Sequence, residues 1–164
     1  MRRRLTAVIV CSTALAGCIG TTGVPVVPGS PPPSVAPVVR SILAAGQPAV
    51  AADRNLELVR YTIQPGTRLP AHRHPGLQLA YVESGELSYT VIEGTVTVHG
   101  TDGGTRTIGA ARTGTIVAGE WIAEDETVVH YGENAGSEPL VILASSLLDA
   151  AQPPAVLVPS PSAP

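Results

Sequence analysis

Gly66-Thr-Arg-Leu-Pro-Ala-His72-Arg-His74-Pro-Gly-Leu-Gln78-Leu-Ala-Tyr81-Val-Glu-Ser-Gly85 is the stretch whose reading decides the fold. Side chains alternate along an extended chain, so His72 and His74 share one face if this segment is a strand. Gln78 has the same parity as both, although Pro75-Gly76 sets a turn between them. Arg73 has the opposite parity and is expected to be exposed. His130, in His130-Tyr-Gly-Glu-Asn134, is a third imidazole far along the chain. Three converging imidazoles make a metal site, because neutral imidazole is a good ligand for Zn, Fe, Cu or Ni.

Outward from this stretch the pattern is that of short strands. Residues 56–63 partly alternate and stop at Pro65-Gly66. Residues 77–82 and 87–92 are joined at Ser84-Gly85, and Glu93-Gly94 turns into 95–99. Asp102-Gly103-Gly104 turns into 105–108, and 115–117, 127–131 and 140–144 complete the set. Short strands at regular spacing with turn residues between them predict an all-β sandwich or barrel. Short helical turns are expected at 41–45 and 145–150.

The 66–85 stretch resembles the first cupin motif, in which a glycine, five residues, His-x-His, three or four residues, a glutamate, six residues and a glycine follow in order. Gly66, His72, His74 and Gly85 fall at those positions, and Gln78 stands where the glutamate is expected. His130-x-x-x-Asn134 looks like the end of the second motif, whose earlier positions are only loosely echoed by Gly114 and Gly119. The resemblance spans about residues 39–148. It implies a single-domain cupin-type β-barrel, jelly-roll-like, with Pro-rich flanking segments. It also implies one divalent transition metal (Fe, Mn, Zn, Ni or Cu) held by His72, His74 and His130, with Gln78 as fourth or outer ligand. Cupins are often dimers, so a homodimer is among the implied partners.

Gln78 bears most on the chemistry. A glutamate would cancel one charge of the ion, whereas a glutamine carbonyl cancels none. Three neutral imidazoles with Gln78 would leave the ion at full charge, which favours an anionic substrate and a more acidic bound water. The acidic segment Glu120-Trp121-Ile-Ala-Glu124-Asp125-Glu126 reads as a solvated loop. Its functional reading puts it at the barrel mouth, with one of its carboxylates as general base, Glu124 as a candidate for the pocket or mouth, and Trp121 as lid or apolar wall. Tyr81 is a further candidate for the pocket or mouth, and Tyr89 and Tyr131 are strand tyrosines that either line or pack. His99 is expected at a loop edge away from the barrel centre, and Asn134 is expected to stabilise a turn.

The ends of the chain read differently from its middle. Met1-Arg-Arg-Arg4 is a positive region, and residues 5–16 form an apolar run too short to span a bilayer, which needs about 20 residues. Residues 1–17 therefore read as a signal peptide. Residues 15–18, Leu-Ala-Gly-Cys18, look like the bacterial lipobox, which makes Cys18 the lipid anchor of an extracytoplasmic, membrane-tethered protein. Cys11 would be removed with the signal, leaving the domain without a thiol or disulfide. Residues 18–38 form the lipidated cysteine and a Pro-rich linker. Six prolines in 20–38 make it a spacer of about 60 Å at roughly 3.1 Å per residue. The domain occupies 39–150, and 151–164 is expected to be a disordered Pro-rich tail.

All ten basic residues are arginine, and three lie in the signal. The remaining seven face thirteen acids, a balance of about −6 that argues against nucleic-acid binding, which needs a basic footprint. No Ser-His-Asp arrangement and no phosphate-binding glycine loop is present. Three functions remain open: a metal-dependent enzyme acting on a small anionic or oxygen-rich organic molecule, an envelope module that binds a metal or small ligand, and an interaction domain with a vestigial pocket.

Overall fold

The computed structural model describes residues 36–159. The signal peptide, the lipobox with Cys18, most of the linker and residues 160–164 lie outside the described residues. Twelve strands follow in order: β1 (Val38–Gly46), β2 (Arg54–Ile63), β3 (His72–Arg73), β4 (Gly76–Ser84), β5 (Glu86–Glu93), β6 (Thr95–His99), β7 (Thr105–Gly109), β8 (Arg112–Val117), β9 (Trp121–Glu124), β10 (Val129–Glu133), β11 (Leu140–Asp149) and β12 (Val156–Leu157). No helix occurs among the described residues. The strands form two antiparallel sheets, β1-β2-β11-β4-β9-β6-β7 and β12-β3-β10-β5-β8. This is an all-β architecture of cupin-type, jelly-roll-like barrel form.

Alternation along each strand explains how the sheets close on one another. In β11 burial alternates without a break, and Leu140, Ile142 and Ala144 face inward. Val96 and Val98 of β6, Ile122 of β9 and Ile116 of β8 are each at most 1% exposed. These side chains join Val82, Leu87 and Tyr89 in one core that draws on both sheets. Burying each large aliphatic side chain contributes about 1.5–3 kcal/mol, so the core stabilises the domain without a disulfide.

Two of the motif glycines sit where their turns require them. Gly66 and Gly85 have φ of +72° and +82°, a left-handed conformation that side chains with a Cβ disfavour. At Gly85 an added Cβ would also meet the Pro139 carbonyl oxygen at 3.2 Å. The 66–85 pattern is thus a turn, the short histidine strand β3 of the smaller sheet, strand β4 of the larger sheet, and a turn.

Four expectations need correction. Residues 41–45 are part of β1 and residues 145–149 part of β11, because pairing with β2 supplies backbone partners that a lone helical turn would lack. Residues 121–124 form β9 between β4 and β6, where a loop is expected. Residues 151–159 are not a disordered tail: Val156 and Leu157 pair with Arg73 and His72, and Val158 N–H donates to the Ala71 carbonyl at 2.9 Å. Arg73, expected to be exposed, is half-buried beside that added strand.

Asn134 has the turn-stabilising role expected of it. It is 1% exposed; its amide donates to the Ile63 carbonyl at 2.9 Å and the Glu138 carbonyl at 2.8 Å, and its oxygen accepts from Gly136 N–H. Asn134→Ala should cost about 2 kcal/mol in a urea titration, because the buried Ile63 carbonyl and the partly buried Glu138 carbonyl lose their donors. Metal stoichiometry should not change, and a loss of metal in a folded variant would contradict the structural role.

Candidate metal centre

The three imidazoles come from the smaller sheet. His72 in β3 lies directly across from His130 in β10, and His74 is the residue immediately after β3. All three are buried, and one ligand atom from each lies within 4.8 Å of the other two. This group could hold a metal ion.

The backbone sets the tautomers of two of them. His72 Nδ1 lies 2.8 Å from the Pro70 carbonyl and His74 Nδ1 lies 2.7 Å from the Pro154 carbonyl. A carbonyl only accepts, so each Nδ1 carries the proton and each Nε2 presents a lone pair. Such outer hydrogen bonds orient metal-ligating histidines. Pro154 belongs to the segment expected to be disordered, so the C-terminal strand helps to build the site.

The larger sheet contributes the other wall. Gln78 of β4 and Glu124 of β9 are cross-strand partners. The Gln78 amide nitrogen lies 2.9 Å from both His74 Nε2 and Glu124 Oε2. Both neighbours are acceptors, which is why the NH2 end faces them. Glu124 is 2% exposed. Its Oε1 accepts from the Tyr89 hydroxyl at 2.8 Å and lies 3.1 Å from His130 Nε2, while Oε2 lies 3.6 Å from His74 Nε2. Tyr89 stacks on His130 with ring centroids 4.9 Å apart.

Protonation follows from these surroundings. Burial, with the His130 imidazole alongside, pushes His72 down from 6.5 to about 4. Burial also lowers His130, so both are neutral imidazoles at neutral pH. For Glu124, burial opposes ionisation, but His130, His74 and the hydrogen bonds from Gln78 and Tyr89 outweigh it, and its pKa falls below the ordinary carboxylate value. Burial and the adjacent Glu124 raise Tyr89 far above the usual phenol range, so it stays a donor.

A cavity of about 180 Å³ adjoins these groups. Val38, Tyr61, Ile63, Leu69, Ile142 and Leu157 supply apolar wall, and His72, His74, Gln78, Tyr89, Glu124 and His130 supply the polar groups. No arginine lines it among the described residues.

The remaining sequence candidates fall elsewhere. Tyr81 and Trp121 are cross-strand partners on the outer face of the larger sheet, because their parity is opposite to that of Gln78 and Glu124. Tyr81 is 42% exposed, and neither residue reaches the cavity. Trp121 stacks on His99 with centroids 3.8 Å apart, so both are outside the site. Tyr131 stacks under the Arg68 guanidinium. Of the acidic segment, Glu120 binds Arg106 and the Val117 N–H, and Asp125 caps the Thr127 N–H. Only Glu124 enters the site, as part of a wall and not of a mouth loop. Its signal in the sequence is the alternation Ile122-Ala-Glu124, which marks a strand with an acid on its inward face.

The family model of the cupin domain matches residues 59–146, more than half of the chain. The chain belongs to the cupin family. No curated protein matches it. Among solved structures, a cupin 2 domain-containing protein from Halorhodospira halophila aligns with TM-score 0.46 at 14% identity, over 69% of this chain and 64% of that one. An oxalate oxidase aligns with TM-score 0.47 at 19% identity, over 74% and 55%. A variant of Bacillus subtilis oxalate decarboxylase aligns with TM-score 0.41 at 27% identity, over 63% and 24%. This cupin spans less than two thirds of the length of each of these.

The depressed His72 pKa has a consequence for stability. A folded-state value of about 4 against 6.5 means that the folded chain binds fewer protons in this window. Its contribution is then fully present above the unfolded value and is lost as pH falls toward the folded one. The metal-free protein should lose roughly 2–3 kcal/mol from this group between neutral pH and pH 4. Denaturant titrations across that range, beside a His72→Gln variant, check this; equal slopes with pH would refute it.

Proposed function

We propose that this cupin is a lipid-anchored envelope protein that binds one divalent transition-metal ion through His72, His74 and His130. We further propose that it uses the ion on a small organic molecule held in the adjoining cavity. The observation that carries this reading is the convergence of three buried imidazoles, two with Nε2 lone pairs set by backbone carbonyls, beside a cavity of suitable size. The donor set fits Fe, Mn, Zn, Ni or Cu, since imidazole and carboxylate ligands are both present. When bound, the ion supplies a Lewis acid and a site for activating water.

The chain's own residues define what can be held there. The apolar wall excludes water and accepts a compact body, roughly the size of a small aromatic ring at this volume. Full charge at the ion, and with it a strongly anionic substrate, is expected only if no carboxylate is near. Glu124 supplies one, and no arginine lines the wall to pair with a second anionic group. The substrate class supported is therefore a small molecule with one oxygen-bearing head and an apolar body. Glu124 is also the one carboxylate lining the cavity among the described residues, and Tyr89 locks one of its oxygens. That shortage of a free base supports a second reading, capture of the same ligand without turnover.

His72→Ala and His130→Ala should each abolish stoichiometric metal in the untagged protein, read by elemental analysis, while leaving its β-rich circular dichroism intact. A parent protein that holds no metal even after reconstitution would sink the reading. For the anchor, Cys18→Ala should move the protein from the membrane fraction to the soluble fraction of lysed cells. Unchanged membrane retention would exclude lipidation at Cys18.

A further inference from the structure

We propose that Glu124, on β9, supplies the carboxylate of the metal centre in place of position 78, and that Gln78 holds that carboxylate in position. The proposal rests on the metal reading above and adds to it the source of the site's negative charge.

Position 78 is where the first cupin motif places a glutamate, and here it is an amide. The carboxylate reappears one strand away, at the residue paired with Gln78 across the β4–β9 ladder. Cross-strand partners in an antiparallel sheet hold their Cβ atoms about 4.5–5.5 Å apart, so either can present its head group to the same small volume. One of the two carboxylate distances already falls in the range of shared coordination, and the other lies about 0.2 Å beyond it. Metal bonds of about 2.1 Å put neighbouring ligand atoms about 3.0–3.4 Å apart. Glu124 Oε1 and Oε2 stand 3.1 Å and 3.6 Å from His130 Nε2 and His74 Nε2.

The supporting hydrogen bonds have the direction this role requires. The Gln78 amide and the Tyr89 hydroxyl each donate to one oxygen of Glu124, which fixes the plane of the carboxylate. A glutamate at 78 would instead bring two carboxylates within about 3 Å in a buried site, where one would be forced to take up a proton. An amide at 78 and an acid at 124 are therefore complementary choices. His130 depends on the same group, because its Nδ1 is buried without a partner and its ring is oriented by Glu124 and Tyr89.

The test is calorimetric titration of the full mature chain with Mn²⁺ and with Ni²⁺, for the parent, Glu124→Gln, Gln78→Glu/Glu124→Gln and His72→Ala. Glu124→Gln keeps the shape and removes the charge, so affinity should fall about 100-fold or more. The loss should be greater for Mn²⁺, which favours carboxylate, than for Ni²⁺, which imidazole suits. A purely structural Glu124 would weaken both ions alike. The double variant returns the carboxylate from the neighbouring strand and should recover to within about tenfold of the parent. It also decides the matter if Glu124→Gln alone does not fold. Parent-like Mn²⁺ binding in folded Glu124→Gln, with binding lost in His72→Ala, would overturn this inference and leave the metal reading standing. No binding in the parent, and none in His72→Ala, would overturn both.

Discussion

A carboxylate buried to 2% exposure stays ionised only where its surroundings replace the water it has lost, and Glu124 shows how this is done. Tyr89 and Gln78 each donate a hydrogen bond to it, and two imidazoles stand within 3.6 Å. Tyr89 and His130 belong to the smaller sheet, Gln78 and Glu124 to the larger. The polar network therefore bridges the two layers at the point where the apolar core gives way to the cavity. Its cost rises steeply if any one member is satisfied poorly, which is why the surrounding register must hold to the residue. The pairing of Gln78 with Glu124 and of His72 with His130 meets that demand.

The apolar barrel acts on the chemistry as well as on stability. By excluding water it lowers the pKa of His72 and His130, so both are neutral, and His72 presents its Nε2 lone pair without first releasing a proton to solvent. Two carbonyls complete this preparation from opposite directions in the sequence. Pro70 stands two residues before His72, while Pro154 is eighty residues beyond His74. The C-terminal strand β12 is short, yet it carries one of the two tautomer-setting contacts and part of the cavity wall.

The spacing of Gly66, His72, His74 and Gly85 makes the two glycine turns and the shared face of the histidines legible in the sequence. His130 was legible for the same reason, as one residue in a recognisable short pattern. Glu124 was visible only as one acid among four in seven residues. Composition reads such a segment as solvated loop, and the three acids that do bind Arg106, cap Thr127 or face water hide the one that does not. Tyr81 and Trp121 were candidates for the pocket, but their parity is opposite to that of Gln78 and Glu124. In a strand a difference of one residue in parity puts a side chain on the other face.

What the sequence by itself determined is therefore local: a β-rich domain, the turns, the three imidazoles and the amide where an acid is usual. These depend on period-two alternation and on left-handed glycines, and both are properties of a few adjacent residues. Only the tertiary structure decided that residues 121–124 form a strand beside β4, that Glu124 faces Gln78, and that Pro154 reaches His74. Strand neighbours far apart in sequence are chosen by how the whole sheet closes its edges and buries its core, a constraint that no short segment carries.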